Sequence, residues 1–460
     1  VLQPAAKRKF NTAFPAHKLD YMHGIRPLQF TSKPKGQQTG QQKKTTDFTA
    51  AVGGMRNTYR SMSAIPGHFI VGNAIAPLIE EAIKEWPNFY KQLGHAINQE
   101  PYDEDALMKN VDDLRKVIVT ALGGQPNDST LSPARSATCS SAVRAEFLRL
   151  WAKAAGDPAH VICDWFFKGA PAGILKDTSI LDGLWPRADE DDPESEVHEI
   201  LSASMNGNMW QKERSHKVSP EMEKLLAGYE RKGYVEICGS AAEVKQKLGT
   251  SFVVSSLVEI LKTKFDAETD KFIRKLRTVL NLKESYISSA TRLTHKAELP
   301  RATDAIRDAL DMMHDLAPNE VVSQMVIDIS DAFWHVPNDP EERRFFVAKV
   351  GAKYIIFNRT AQGSRNAALT WATVIALIAR CAQSVFTQSR VRRTRTQADL
   401  LLQVYVDDPY AVCRGTPNRV KLLHYKLAVT WMLFGLPLAW KKALTGPALP
   451  WIGIQIKEIK

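Results

Sequence analysis

The sequence contains little cysteine, and none of it in a pattern that would hold a metal ion. Its 460 residues include five cysteines, with no Cys-x-x-Cys pair and no histidine cluster at ligand spacing. His160 and Cys163 lie three residues apart, but an isolated pair beside apolar residues is more typical of a protein core. These absences argue against structural zinc and favour a reducing compartment, so we expect an intracellular protein, cytoplasmic or nuclear.

Targeting signals and long apolar runs are missing as well. The longest apolar run, residues 371–379, is too short to span a bilayer, so the sequence predicts no membrane partner. It has no signal peptide and begins with Val1. We therefore interpret the chain as a piece of a longer polyprotein.

Acidic residues are outnumbered by basic ones. The chain has 61 Lys and Arg against 50 Asp and Glu, a net charge of +11, which suggests a polyanionic partner without identifying it. Residues 1–50 hold nine basic and two acidic residues and few aliphatic ones, which predicts a disordered basic tail. This tail would either contact phosphates of a nucleic acid or serve as a solvated linker.

The rest of the chain divides into three predicted parts. Residues 51–165 are predicted as a helical region of unknown role, because apolar residues repeat at helical spacing in segments such as 103–122. Residues 166–217 are irregular and are predicted as a linker. The final part, residues 218–460, opens with a helix start signal, Ser219 followed by Pro220.

Within this final part, predicted strands and helices alternate in an order that favours one fold class. A buried strand at 321–329 is followed by a hairpin, a long helix, a second strand pair, another helix and a last strand, at residues 344–357, 366–385, 401–412, 418–434 and 451–456. This order predicts an antiparallel sheet backed by helices, an α+β fold.

The most informative stretch is residues 401–412, in which Asp407 and Asp408 stand between two apolar strands. Adjacent carboxylates repel each other unless cations neutralise them, and a site for two Mg²⁺ ions is a common reason for such a pair. A bare Asp-Asp is also typical of an exposed acidic turn. Asp328, near the end of the strand at 321–329, could supply a third carboxylate if the two strands are neighbours, which spacing alone does not show.

Five segments in a fixed order resemble the motifs of retroelement reverse transcriptases. Residues 326–337 (Val-Ile-Asp-Ile-Ser-Asp-Ala-Phe-Trp-His-Val-Pro) resemble motif A, and Tyr-Val-Asp-Asp at 405–408 resembles motif C. Motifs B, D and E are similar to residues 359–366, 434–442 and 449–455. Any one match is weak, but five in order are specific. The chain thus resembles the reverse transcriptase domain of a retrotransposon Pol polyprotein, clearly from 299 to 456, less so from 220 to 300 and hardly in the first 160 residues.

The resemblance implies a right-hand polymerase with fingers and an antiparallel palm sheet, a largely absent thumb and a helical N-terminal extension. It implies an RNA-directed DNA polymerase, a nucleotidyltransferase that adds deoxynucleotides to a primer 3′-hydroxyl with two Mg²⁺ ions, Mn²⁺ being an alternative. The implied partners are an RNA and DNA template-primer, dNTPs and other polyprotein segments such as ribonuclease H, integrase or recombinase.

The resemblance also assigns roles by position. The carboxylates of Asp328, Asp407 and Asp408 and the carbonyl of Ile329 would hold the metals. Lys442 would be the proton donor to pyrophosphate, or else a surface lysine. The remaining substrate and nucleic-acid contacts would come from the amides of Asp331 and Ala332, from Phe333 as a gate against a ribose 2′-hydroxyl (or a core aromatic), and from Gln362, Gly363, Tyr405, Trp451, Gly453 and Ile454.

Two basic segments also receive predicted roles. Residues 274–277 fit the basic fingers strand, but Asn281 and Lys283 replace the usual Asp-x-Arg, which puts triphosphate binding by Lys275 and Arg277 in doubt. The loop at 390–395, with Arg392 and Arg393, would either contact phosphates or form a solvated insertion.

Two other functions compete with an active reverse transcriptase. A catalytically inactive, nucleic-acid-binding relic would keep the fold without processive synthesis, although the intact Asp328, Asp407 and Asp408 argue against decay. A viral RNA-dependent RNA polymerase usually carries Gly-Asp-Asp and a polar residue that recognises the sugar. Tyr405 and Phe333 disfavour that class.

Overall fold

The structure is a computed structural model of the chain. It describes residues 65, 67–136, 138, 140–181, 184–188, five positions between 197 and 205, and 219–266, 271–386 and 398–457; within strands, the side chains of 262, 264–266, 271 and 273–275 are not described. The predicted basic tail and the predicted basic loop with Arg392 and Arg393 lie outside the described residues.

Helices make up the described part of the N-terminal region. They are α1 (Gly67–Glu85), α2 (Phe89–Ile97), α3 (Glu104–Ala121), α4 (Asp128–Leu131), α5 (Ala145–Ala154) and α6 (Trp165–Lys168), with a 3₁₀ helix at Pro158–Asp164. The predicted amphipathic helix at 103–122 is confirmed as α3. Asp103 caps it by accepting from the Ala106 amide, and the apolar repeat of Leu107, Val111 and Leu114 is buried.

The second half alternates strands and helices. Its helices are α7 (Pro220–Arg231), α8 (Ala241–Leu248), α9 (Ile287–Ala290), α10 (Ala302–Met313), α11 (Ala367–Ser384) and α12 (Pro417–Leu433). Its strands are β1 (Val235–Cys238), β2 (Val254–Asp266), β3 (Lys271–Asn281), β4 (Val321–Val326), β5 (Val347–Val350), β6 (Lys353–Phe357), β7 (Leu400–Tyr405), β8 (Asp408–Gly415), β9 (Leu444–Gly446), β10 (Ala448–Trp451) and β11 (Ile454–Lys457). Ser219 caps α7 as predicted.

Two sheets organise these elements. A four-stranded antiparallel sheet has the order β7-β8-β4-β9, and a five-stranded sheet has the order β1-β6-β5-β2-β3. In the second sheet β2 and β5 run parallel, which the sequence did not indicate. The predicted α+β class is confirmed, including an antiparallel sheet backed by helices.

Both faces of the four-stranded sheet are buried. Alternate residues of β8 divide between them: Ala411 and Cys413 join the core formed with α11 and α12, whereas Tyr410 and Val412 join the core formed with α10 and the β10–β11 hairpin. The sheet is therefore the middle layer of a three-layer arrangement.

Three predicted boundaries differ from the structure. β4 ends at Val326, so Asp328 lies just beyond the strand. β8 begins at Asp408, so Asp408 belongs to the strand and only Val406 and Asp407 form the turn. The predicted last strand at 451–456 is wrong: a turn with positive φ at Ile452 and Gly453 divides it into the β10–β11 hairpin.

The N-terminal helices pack directly on α11 and α12. α1 contacts both of them, α2 and α3 contact α12, and all join one hydrophobic core. At the crossing of α1 and α11 there is no room for a side chain, because a Cβ on Gly72 would lie 2.0 Å from the Ser384 carbonyl oxygen. Arg115 of α3 donates hydrogen bonds to the Met432 and Leu433 carbonyls at the end of α12. The predicted division at residues 165 and 217 stays a prediction.

Helix α11 is the one described helix long and apolar enough to cross a membrane by length and composition alone. In this chain 94% of it is buried inside the protein. The four-stranded sheet covers one side of α11, and α1 and α5 cover another. A helix that is apolar all round is expected to be enclosed in this way.

A buried ionic cluster joins the two halves of the chain. The Asp157 carboxylate accepts from Arg380 Nε of α11 at 2.7 Å and lies 2.9 Å from His68 Nε2 of α1. All three side chains are buried. Burial alone would raise the pKa of Asp157, but the charge of Arg380 and the hydrogen bonds from both partners hold it well below its usual range.

We expect Asp157→Ala to destabilise the whole protein by about 3–5 kcal/mol, because it leaves the Arg380 guanidinium buried without its counter-charge. The free energy of unfolding in urea measures this. Asp164→Ala is the matched control, because Asp164 forms partly exposed ion pairs with Arg149 and Lys168 and its loss should cost about 1 kcal/mol or less. Equal, small effects of the two variants would contradict a structural role for the cluster.

Candidate active site

The end of β4 and the β7–β8 turn meet at one edge of the four-stranded sheet. β4 and β8 are antiparallel neighbours, with Val326 opposite Tyr410. Continued by two residues, this register sets Asp328 opposite Asp408. The Ile329 amide donates to the Asp407 carbonyl at 2.8 Å, as that register requires. The condition that the sequence left open, that the two strands be neighbours, is therefore met.

The turn at Val406 and Asp407 is held in place by two tryptophans. Trp371 of α11 donates its indole N–H to the Val406 carbonyl at 2.7 Å, and Trp451 of β10 donates to the Asp408 carbonyl at 3.0 Å. Val406 has a φ of +59°, an unfavourable conformation for a β-branched residue. Such strain persists only where the surroundings fix the backbone, as the two indoles do here.

The carboxylates of Asp407 and Asp408 have no cationic partner among the described residues. Asp407 is exposed and Asp408 is half-buried. Burial, and then the charge of Asp407, raise the pKa of Asp408 to about 6. Neither side chain makes a hydrogen bond or ion pair within the described part of the chain. A cation bound here would relieve the repulsion between them.

Asp328 is neutralised by Lys442. Its carboxylate forms an ion pair with the Lys442 ammonium, which lies at the end of a 3₁₀ turn, Trp440–Lys442. The backbones run side by side, because the Ala439 amide donates to the Asp328 carbonyl and the Ser330 amide to the Pro437 carbonyl, both at 2.9 Å. Lys442 therefore lies in the candidate site, although its side chain is 54% exposed.

The donor groups in the candidate site are of the kind that hard divalent cations prefer, but their side chains are not gathered closely enough to hold a metal ion. Three carboxylates and the backbone carbonyl of Ile329 lie on adjoining segments. Among the described residues, however, no three His, Cys, Asp or Glu side chains are gathered closely enough to hold a metal ion. The Lys442 ammonium pairs with one oxygen of the Asp328 carboxylate and would compete with a bound cation for it.

The chain turns sharply after Ile329. Asp331 has a φ of +59° and is followed by a 3₁₀ helix, Ala332–His335. The backbone amides of Asp331 and Ala332 donate to no residue in the described ranges. Phe333 is partly buried and packs against the core formed by α11 and α12. Its predicted role as a gate and the alternative of a core aromatic both stay open.

The Asp331 carboxylate has two partners that the sequence did not reveal. Lys232, at the end of α7, places Nζ 2.6 Å from Oδ2, and the Tyr234 hydroxyl donates to the same oxygen at 2.9 Å. Burial would raise the pKa of Asp331, but these two hydrogen bonds and the charge of Lys232 lower it.

His335 and Arg359 fix the turn from behind. His335 Nε2 lies 2.9 Å from the Ser330 carbonyl, and Arg359 donates to the carbonyls of His335 and Ser140. Burial, and then the charge of Arg359, lower the pKa of His335 to about 4, so its ring is neutral near pH 7 and donates from Nε2. No role was predicted for His335 or Arg359, because their contacts join segments that are distant in sequence.

The loop before α11 packs against β3. The Leu280 amide donates to the Gln362 carbonyl at 2.9 Å. Gly363 has a φ of +109°, and a Cβ there would lie 2.2 Å from the Leu280 carbonyl oxygen, so only glycine fits. Arg277 is exposed and lies on the same face of β3 as Val279, which borders Gly363. Lys275 lies on the same strand, but its side chain is outside the described set.

The residues predicted to contact a primer differ in their exposure to solvent. Tyr405 is partly exposed at the end of β7. Trp451 and Ile454 are buried in the core beside α10, so their side chains do not face solvent. Gly453 lies in the turn between β10 and β11. Of these three hairpin residues, only Gly453 is therefore exposed for a contact.

Comparison with known proteins gave only distant structural similarity. No protein-family model matches the chain, and no curated protein matches it. The native prototype foamy virus protease-reverse transcriptase aligns with 54% of this chain and 27% of its own, at 14% identity and a TM-score of 0.36. The foamy viral enzyme with double-stranded DNA aligns over 53% of this chain and 41% of its own, at 14% identity and a TM-score of 0.36. The chain spans less than half of either structure, and similarity at this level assigns no family and no function.

We expect Gly363→Ala to destabilise the protein by about 1–3 kcal/mol, because the new Cβ collides with the Leu280 carbonyl and the backbone has a positive φ. Urea unfolding measures the loss. Gly228→Ala is the control: it lies inside α7 with nothing within 4 Å of its Cβ and should be neutral or stabilising by up to about 1 kcal/mol. A neutral Gly363→Ala would mean that the loop does not need this close approach.

We expect the buried His335 ring to make the folded protein less stable in acid. The pKa of His335 is about 4 in the folded protein and about 6.5 in the unfolded chain. The stability that the neutral ring contributes is therefore fully present above about pH 6.5 and is lost as the pH falls toward 4. His335→Gln should shrink the difference in unfolding free energy between pH 7 and pH 5 by about 2 kcal/mol. Identical pH profiles for His335→Gln and wild type would refute the prediction.

Proposed function

We propose that this chain is an RNA-directed DNA polymerase, a nucleotidyltransferase from the Pol polyprotein of a retrotransposon that acts in the cytoplasm or nucleus. The observation that carries the proposal is the meeting of Asp328 with the Asp407–Asp408 turn on neighbouring antiparallel strands. The ordered reverse transcriptase-like motifs around these residues support the same function. In this proposal the four-stranded sheet is the palm, the five-stranded sheet belongs to the fingers, and a thumb is largely absent.

Asp328, Asp407, Asp408 and the Ile329 carbonyl would hold two Mg²⁺ ions, with Mn²⁺ as an alternative. Bound there, the ions would supply Lewis-acid activation of the primer 3′-hydroxyl and neutralise charge on the triphosphate. The carboxylates of Asp407 and Asp408, which have no partner among the described residues, support this assignment. Lys442, once released from Asp328, would remain beside the site as an ammonium able to protonate the leaving pyrophosphate.

The neighbouring residues would select and align the substrates. Phe333 would occupy the space of a ribose 2′-hydroxyl and so favour dNTPs. Gln362 and Gly363 would line the incoming nucleotide and the template base, and the close approach of Gly363 to Leu280 supports a fixed loop there. Arg277, together with Lys275, would contribute positive charge near the triphosphate. Tyr405 and the turn at Gly453 would contact the primer.

The partners in this proposal are an RNA and DNA template-primer, dNTPs and other segments of the polyprotein, such as ribonuclease H, integrase or recombinase. The net charge of +11 supports a polyanionic partner. The basic tail and the loop with Arg392 and Arg393 would add phosphate contacts.

One observation favours a second candidate, an inactive nucleic-acid-binding relic. The Lys442 ammonium occupies the carboxylate of Asp328, and no closed set of three ligands exists among the described residues. A chain in which Lys442 never left Asp328 would bind template-primer without extending it.

Primer extension on an RNA template separates the two candidates. We expect wild-type protein with Mg²⁺ to extend the primer with dNTPs in preference to rNTPs. Asp407→Asn should reduce the rate more than about 100-fold, since changing even a residue that only hydrogen-bonds to a metal ligand costs about 10- to 100-fold. Asp113→Asn, on a distant exposed ion pair of α3, should have wild-type activity.

Each alternative result has a distinct meaning. Retained binding of an RNA/DNA hybrid without extension by wild type would favour the relic. Preference for rNTPs would overturn the role of Phe333. Full activity of Asp407→Asn would remove Asp407 from the mechanism.

A further inference from the structure

Asp331, like Asp328, is paired with a lysine from a distant part of the chain. Lys232 Nζ and the Tyr234 hydroxyl both bind the same carboxylate oxygen, at 2.6 and 2.9 Å. The ring of Tyr234 is fixed in turn. It stacks on Trp334 with centroids 5.0 Å apart, and the Arg359 guanidinium lies 5.5 Å from its centroid. The Tyr234 ring is thus packed against two neighbours, whereas the Lys232 side chain is 55% exposed.

The surroundings of Asp331 are suited to an anion. Its left-handed φ followed by a 3₁₀ helix leaves consecutive amides, those of Asp331 and Ala332, without an acceptor among the described residues. Consecutive amides in such a turn form an anion-binding concavity.

The Asp331 carboxylate opposes anion binding, because it places a negative charge beside those amides. Lys232 cancels that charge. An ion pair this exposed contributes only about 0–1 kcal/mol, so a ligand with several negative charges can attract Lys232 away from Asp331. The Tyr234 hydroxyl continues to donate to the carboxylate after Lys232 leaves, which keeps Asp331 in place.

We propose that Lys232 binds the triphosphate of the incoming nucleotide, moving from Asp331 to the phosphates, while Tyr234 positions Asp331. This inference rests on the proposed polymerase function for the identity of the anion. Lys232 would supply a cation from the end of α7. This cation would add to those of the fingers strand, in which Asn281 and Lys283 replace the expected Asp-x-Arg.

The kinetic test compares Lys232→Met and Lys232→Arg with Lys224→Met, a control on an exposed lysine of the same helix that forms no ion pair among the described residues. Loss of one charge-assisted contact should raise the KM for dNTP about tenfold in Lys232→Met and leave kcat within about twofold. Lys232→Arg should recover most of the affinity. Equal KM values for Lys232→Met and Lys224→Met would overturn the proposal.

Asp331→Asn distinguishes binding from a merely structural ion pair. The Asn carbonyl still accepts from Tyr234, but it no longer holds Lys232, so the KM for dNTP should stay at the wild-type value or fall. A rise as large as that in Lys232→Met would show that only the ion pair matters and would overturn the proposal.

Calorimetric titration with inorganic tripolyphosphate tests the same contact without catalysis. We expect wild type to bind it, and Lys232→Met to bind it about tenfold more weakly. No binding by wild type, or equal binding by both, would refute the role of Lys232. If wild type binds tripolyphosphate through Lys232 but extends no primer, the proposed polymerase function fails while the anion site stands.

Discussion

The pairing of β4 with β8 is the constraint on which the candidate site depends. It brings residues 80 positions apart in sequence into adjacent rows, so that Asp328 lies opposite Asp408. A slip of one residue would turn every side chain of β8 to the opposite face. Since the two faces of this sheet are packed against different cores, such a slip would move each side chain into the opposite core, where its size and shape would not fit the packing. The positions of the carboxylates are thus set by hydrophobic packing rather than by the carboxylates themselves.

Charge in the loop after β4 is balanced from two directions. Asp328 is paired with Lys442, which follows α12, and Asp331 is paired with Lys232, which ends α7. The two acids of one short loop are therefore neutralised by lysines that are 210 positions apart in the sequence. Asp407 and Asp408, which have no such partners among the described residues, keep their repulsion. The site therefore combines two carboxylates that are paired with partly exposed lysines and two that have no counter-charge among the described residues.

Local signals in the sequence predicted local structure well. The repeat of Leu107, Val111 and Leu114 defines α3, and Ser219 with Pro220 defines the start of α7, because capping and helix periodicity act over a few residues. The hairpin of β5 and β6 and helices α11 and α12 were also predicted within a few residues. The turn at Ile452 and Gly453 was missed, since a short hairpin and a single strand share the same apolar composition there.

Long-range contacts could not be predicted in the same way. Nothing in the spacing of Lys232 and Asp331, or of Trp371 and Val406, indicates that they touch, because tertiary packing alone brings them together. The identity of Asp328, Asp407 and Asp408 as candidates came from the motif pattern, and their assigned roles stay predictions. Their adjacency became visible only through the strand register.

The enclosure of α11 has a practical consequence for how this chain can be handled. Its outer side is covered by α1 and α5, and α12 is covered by α2 and α3. A recombinant fragment beginning at residue 218 would present two bare apolar helices to water, a surface that promotes self-association. Poor solubility of such a fragment would then reflect a missing layer of the protein rather than a defect in the part that remains.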